Sequence, residues 1–181
     1  MLDFLRKPVF RDEADRAALR FRVVDRMADL AAVTALARQV HAESRLHRIP
    51  FSEAKLRRLV ERALGDPNRH SFMLAERGSE PVGLLHCSAG EYFIGTDTIL
   101  VTVHSVNVPR RHRGGLGGGR IAMGLLNGAR TWARARGAVE LSVHVSSGTE
   151  MDRTDRLLRH LGFAHTGGNY ALDLGPRGGA R

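Results

Sequence analysis

Leu30, Val33, Leu36, Ala37 and Val40 recur at helical spacing and predict a helix over Asp29 to Ser44. Phe21 to Val24, just before it, is a short apolar run and predicts a strand. The Ile49-Pro50 step breaks the chain, and Ser52 is placed as the N-cap of a second helix, Glu53 to Leu64, stopped by Gly65-Asp66-Pro67. The apolar positions then close up into short runs. Ser71 to Ala75 and Val82 to Cys87 predict a hairpin turning at Arg77 to Glu80, and Thr98 to Val108 predicts a longer strand. Ile121, Leu125, Ala129 and Trp132 return to helical spacing, so a long helix is expected from about Gly118 to Arg136, with Gly137 ending it. Val139 to Val145 reads as a strand, Thr149 to Leu161 as a helix, and Phe163 to Thr166 and Tyr170 to Leu174 as two short strands.

That order, β-α-α-β-β-β-α-β-α-β-β, is an α/β (α+β) chain without internal repeat or linker. Residues 1–20 are expected to be an N-terminal extension, 21–174 one domain, and 175–181 a flexible glycine-rich tail. The 181 residues suffice for one well-filled core. Mean hydropathy is −0.23, and no apolar run reaches the ~20 residues that span a bilayer. No secretory leader is read at the N-terminus, so a cytoplasmic location without membrane association is expected. Cys87 is the single cysteine and stands in an apolar run, which excludes an internal disulfide and a cysteine-based zinc site and predicts a buried, inert thiol.

Charge changes the picture. Against 19 acidic residues stand 28 basic ones, a net charge of +9, and Lys7 and Lys55 are the only lysines. The sequence pI of about 11.2 admits tRNA or another polyanion as a partner, and equally an arginine-rich surface that meets only water. No basic patch is interleaved with aromatic residues in the manner of single-strand binders.

The strongest chemical signal lies between the long strand and the long helix, where Pro109-Arg110-Arg111-His112-Arg113 runs into Gly114-Gly115-Leu116-Gly117-Gly118-Gly119. Amides at a helix N-terminus lack internal partners, the helix dipole adds positive potential, and glycines let an anion approach the backbone. Arg110, Arg111, Arg113 and Arg120 add charge around this cradle. Arg120 and Ile121 follow Gly119 where a Walker loop needs lysine and a hydroxyl, so nucleotide hydrolysis is excluded. Gly117, Gly119 and Ala122 fit a dinucleotide fingerprint, but no acidic residue clearly ends the next strand.

At these residues the chain resembles the GNAT superfamily of N-acetyltransferases, whose loop reads Arg/Gln-x-x-Gly-x-Gly/Ala after a strand-ending proline. Here His112 takes the first position and Gly115 and Gly117 the glycine positions, three residues beyond Pro109; Gly162-Phe163 matches the family's Gly-Phe pair after the last helix. The resemblance covers about residues 21–174. It implies a mixed, mostly antiparallel sheet of about seven strands with about four helices, and acetyl-CoA as cosubstrate without a metal. It implies that His112, Arg113, Gly114, Gly115, Leu116, Gly117, Gly118 and Gly119 hold the CoA diphosphate, and that Val106, Asn107 and Val108 pair with the pantetheine arm.

Acetyl transfer to an amine needs the neutral amine, only ~0.04% of an alkyl ammonium at pH 7, so a base is expected. His104 and Ser105 stand in the strand before the loop, where the family often has a glutamate, and His144 is a second imidazole on the next strand. A bulge in that first strand would supply an N–H for the oxyanion. The family's thiolate-protonating tyrosine is replaced by Leu158, leaving Ser146, Ser147 or Thr149 as substitute donors, with Ser147 the leading candidate. By the resemblance Glu43 and Tyr170 line the acceptor pocket. The acceptor stays open among a small amine, a protein amino group and an aminoacyl-tRNA; oligomeric state, a dimer included, stays open too. The alternative is a non-catalytic module of the same fold that binds CoA or nucleic acid.

Overall fold

The computed structural model describes residues 18–145 and 150–167. Five strands form one sheet in chain order: β1 (Leu19–Val23), β2 (His70–Arg77), β3 (Glu80–Glu91), β4 (Ile99–Asn107) and β5 (Glu140–Val143). The first four pair antiparallel, and β4 and β5 pair parallel. Four helices accompany the sheet: α1 (Leu30–Ala42), α2 (Glu53–Gly65), α3 (Gly115–Arg134) and α4 (Met151–His160). Among the described residues no helix is long and apolar enough to cross a membrane.

Helix α2 starts where its cap predicts, with Ser52 Oγ accepting the Lys55 N–H at 3.3 Å. Strand alternation sorts side chains onto two faces, each with its own core. Leu85, Val101 and Val103 pack against Ile121, Leu125 and Ala129 of α3 on one face. Leu74 and Leu84 pack against Val33, Leu36 and Val60 of α1 and α2 on the other. Gly83 lets α3 lie close on β3, since a Cβ there would stand 2.6 Å from Ile121 Cγ2.

The sheet departs from the expected count. Five strands are seen instead of about seven: Phe163 to Thr166 follows α4 without strand pairing among the described residues, and 170–174 lies outside them. The hairpin strands run longer than their apolar runs, β3 reaching Glu91, because backbone pairing continues past the last apolar side chain. Helix α3 begins at Gly115, three residues before the expected start. Low helix propensity led the glycines to be read as loop, but tertiary packing overrides propensity here.

Beneath β1 and β2 lies a buried carboxylate. Asp29 is 5% exposed, and Arg22 meets it with two bonds of 2.7 and 2.9 Å while also gripping Glu76 at 2.8 Å. This pairing holds the Asp29 carboxyl below the usual carboxylate range and ties β1, β2 and the approach to α1 together.

Candidate functional site

The site arises where two strands part. Strands β4 and β5 are in register from Leu100 opposite Glu140 to Val103 opposite Val143, with further bonds from the Val139 N–H to Ile99 O and from the His144 N–H to Val103 O, each 3.0 Å. Strand β4 then continues to Asn107, and among the described residues nothing pairs with it on that side. A cavity of about 370 Å³ lies at the parting. Ser105, Val106 and Asn107 form one margin and Val143, His144 and Val145 the other. Its walls come from both faces of the sheet: Val40, His41, Phe51 and Leu56 from the α1–α2 side, and Ala122, Leu126, Leu157 and Leu158 from the α3–α4 side. The opening therefore connects the two faces through the sheet.

The expected bulge is present. His86 opposes Ser105 while Cys87 opposes Val103, so His104 is an extra residue on β4. A bulge disrupts the ladder locally and bends its strand. Here it sits immediately before the cavity margin.

At the α3 end of the opening, Pro109 leads into a single 3-10 turn, Arg110–His112, and Gly114 caps α3 with extended backbone. Gly114 supplies no side-chain cap, and the first-turn amides of a helix lack intrahelical partners. Gly118 is what allows the arrangement: a Cβ there would stand 2.7 Å from Arg113 Cα and 2.8 Å from His112 O. Gly119, by contrast, faces open space.

Several loop side chains have structural work. Arg113 donates to Val108 O at 2.6 Å and pairs with Glu43 at 3.1 Å. The same Glu43 carboxylate accepts the Arg110 N–H at 2.9 Å. The expectation that Glu43 faces an acceptor amine is therefore revised: its charge is committed to tying α1 to the loop. His112 is turned toward Arg111 and Glu80. Its Nε2 accepts from Arg111 Nε at 3.0 Å, which requires a lone pair, so the 3.3 Å approach to Glu80 is not a donated bond from that nitrogen. Burial, then the Arg111 charge, hold the His112 pKa below its ordinary value. Arg110, Arg111 and Arg120 are exposed cations of this segment, Arg111 being paired with Glu80, and Arg77, at the end of β2, brings NH2 to 3.7 Å from a Cβ placed on Gly117.

On the α1–α2 face a row of rings leads to the cavity. Phe72 and His86 stack with centroids 4.4 Å apart, His86 and His104 lie 4.9 Å apart, and His104 meets His144 edge-on at 6.3 Å. His86 and His144 line the cavity; His104 stands between them, its Nε2 2.7 Å from Ser88 Oγ. Burial, with His104 and His70 adding to it, pushes His86 down to about 4. Burial, then His144 and His70, hold His104 below its usual range as well. Both imidazoles are neutral near pH 7.

Among the sequence candidates, Ser105, Val106 and Asn107 thus line the opening and Val108 follows them. His104 is one ring removed from it. Leu158 lies in the wall, while Ser146, Ser147, Thr149 and Tyr170 fall outside the described residues. His86, Arg77 and Thr154 were missed. His86 was findable: it is the residue on β3 that a hairpin brings beside His104. Cys87 is buried, its thiol pushed up to about 12, and is no nucleophile. Among the described residues no cluster of metal-ligating side chains could hold an ion.

No protein-family model matches the chain, and no curated protein matches it. Solved structures do. The aminoglycoside acetyltransferase AAC(6')-Iy with a bisubstrate analogue built on CoA is 18% identical, with a TM-score of 0.67 over 87% of this chain and 98% of that one. A transcriptional regulator from Bacillus halodurans is 17% identical, with a TM-score of 0.66 over 86% and 99%. A ribosomal-protein-alanine N-acetyltransferase from Brucella melitensis is 16% identical, with a TM-score of 0.61 over 87% and 100%. These likenesses show a fold held mostly by GNAT-type acetyltransferases.

Proposed function

We propose that this GNAT-fold chain is an acetyl-CoA-dependent N-acetyltransferase, acting in the cytoplasm on a primary amine. The observation that carries the reading is the end of β4, which no described strand pairs on the β5 side, beside a cavity that joins both faces of the sheet, with a glycine-rich helix N-terminus at the same end. The first-turn amides of α3, with Arg110, Arg120 and Arg77 near them, suit the CoA diphosphate. The edge at Val106 and Asn107, which no described strand pairs on the β5 side, suits the amide groups of the pantetheine arm, and brings the thioester to the opening.

The amine nitrogen, neutral and entering from the α1–α2 side, attacks the thioester carbonyl. A C–N bond forms, and the oxyanion accepts a main-chain N–H from the segment beside the His104 bulge. The C–S bond then breaks, and coenzyme A leaves as the thiolate. The amine's proton passes to His144, the imidazole at the cavity margin, with His104 positioning it from behind. Thr154, in the wall on the α3–α4 side, is a described hydroxyl that can relay a proton from solvent to the thiolate, receiving one as it gives one; Ser147 is the second candidate.

Calorimetry with CoA, paired with an assay for released thiol, tests this. Binding in the micromolar range that weakens as salt rises is expected, with thiol release dependent on an amine. Absence of CoA binding overturns the reading; binding without release for any amine favours a non-catalytic module instead. His144→Ala is expected to lower kcat about 100-fold at pH 7 with the CoA Kd unchanged. Added free imidazole is expected to restore part of the variant's rate by replacing the lost base. A variant with wild-type kcat would remove His144 from the role.

A further inference from the structure

The walls of the opening carry a chemical bias. Among the described residues twenty-two line it, and none of these is Asp, Glu, Lys or Arg. Phe51, Phe72, Leu56 and Leu84 make the acceptor-side wall apolar, and Leu46 and Leu59, 38% and 37% exposed, carry that surface out to the mouth. The polar groups on the acceptor side are His41, His86, His144, Ser44, Ser105 and Asn107, all without formal charge when the imidazoles are neutral. Two described carboxylates on the α1–α2 side are already committed. Glu43 is bound by Arg113 and the Arg110 N–H, and Glu53 is paired with Arg38, whose guanidinium also lies 5.0 Å from the Phe51 ring centre.

We infer that the acceptor is an apolar or aromatic monoamine, and that polycationic amines are rejected. This rests on the acetyltransferase reading above and narrows its substrate. The reacting amine enters neutral, so a monoamine brings no charge into the cavity. A polyamine or aminoglycoside carries its other ammonium groups with it. Each would leave water without a carboxylate to meet it, which is costly, and would approach a protein of net charge +9. The His86 imidazole, kept neutral by burial, gives a single amine a hydrogen-bond acceptor without fixing a cation.

The test compares 2-phenylethylamine with spermine and neamine at equal ionic strength, reading thiol release from acetyl-CoA and, separately, amine binding to the CoA complex by calorimetry. The expected result is kcat/KM for 2-phenylethylamine at least about 100-fold above that for either polycation, a difference of about 2.8 kcal/mol. Leu59→Glu, which places a carboxylate at the half-exposed mouth, is expected to narrow the gap at least tenfold. Equal or better turnover or binding of spermine or neamine by the wild type overturns the inference. Selective binding of 2-phenylethylamine without thiol release supports the inference and sinks the catalytic reading, so the two fail separately.

Discussion

Gly118→Val is expected to raise the Kd for CoA at least about 100-fold and to abolish acetyl transfer. The Cβ would stand 2.7 to 2.9 Å from Arg113 Cα, His112 O and Arg113 C. Those are backbone atoms, so no rotamer change relieves the overlap. Either the first turn of α3 or the 110–113 turn must move. The amides that would meet the diphosphate move with it, and each lost charge-assisted hydrogen bond costs about 1.5–3 kcal/mol. Loss of one or two such bonds accounts for the 100-fold. Gly119→Ala is the control. Its Cβ meets nothing within 4 Å, and alanine is the better helix former by about 1 kcal/mol. This variant is expected to keep its fold and its CoA affinity within about threefold. Calorimetry on both, with thermal melts to show that each is folded, decides. A Gly118→Val protein that binds CoA like the wild type would place the diphosphate elsewhere.

The second large effect is on stability. Arg22→Leu leaves the Asp29 carboxylate, 5% exposed, facing an apolar side chain. Breaking a buried pair by removing one partner costs about 3–5 kcal/mol. Arg26 remains at 3.6 Å and Arg22 is itself 31% exposed, so about 3 kcal/mol is expected, a fall in Tm of roughly 6–12 °C. The pH dependence follows in sign. The folded Asp29 carboxyl titrates below its unfolded value of 3.8. Between the two values the unfolded chain binds more protons. The pair's stabilisation is therefore complete above about pH 4–5 and is lost as pH falls through the folded value. Urea unfolding at pH 7 and pH 3 checks both points: the wild-type advantage over Arg22→Leu should be large at pH 7 and smaller at pH 3. An equal gap at both pH values would show that the loss comes from packing and not from the ion pair.

Much of the site could be read before the fold was known, because its chemistry is local. The glycines after Pro109 and the imidazoles at His104 and His144 are sequence neighbours of the elements that carry them. Roles that depend on long-range pairing could not be read. Glu43 had the right residue type to receive an amine, yet its oxygens meet Arg113 and the Arg110 N–H, sixty-seven residues away for the latter. His86 gained its place only when β3 paired with β4, and Arg77 only when β2 brought its end beside Gly117.

Local spacing and residue type by themselves determined the element order from β1 to α4, the cap at Ser52 and the glycine-rich entry to α3, since each is a property of residues a few positions apart. The tertiary structure decided that β4 runs on to Asn107 beyond its register with β5, that the bulge falls at His104, and that the resulting opening has no acid in its described walls. Those outcomes depend on which residues from distant segments share one face and one register. Spacing along a single strand or helix does not carry that information.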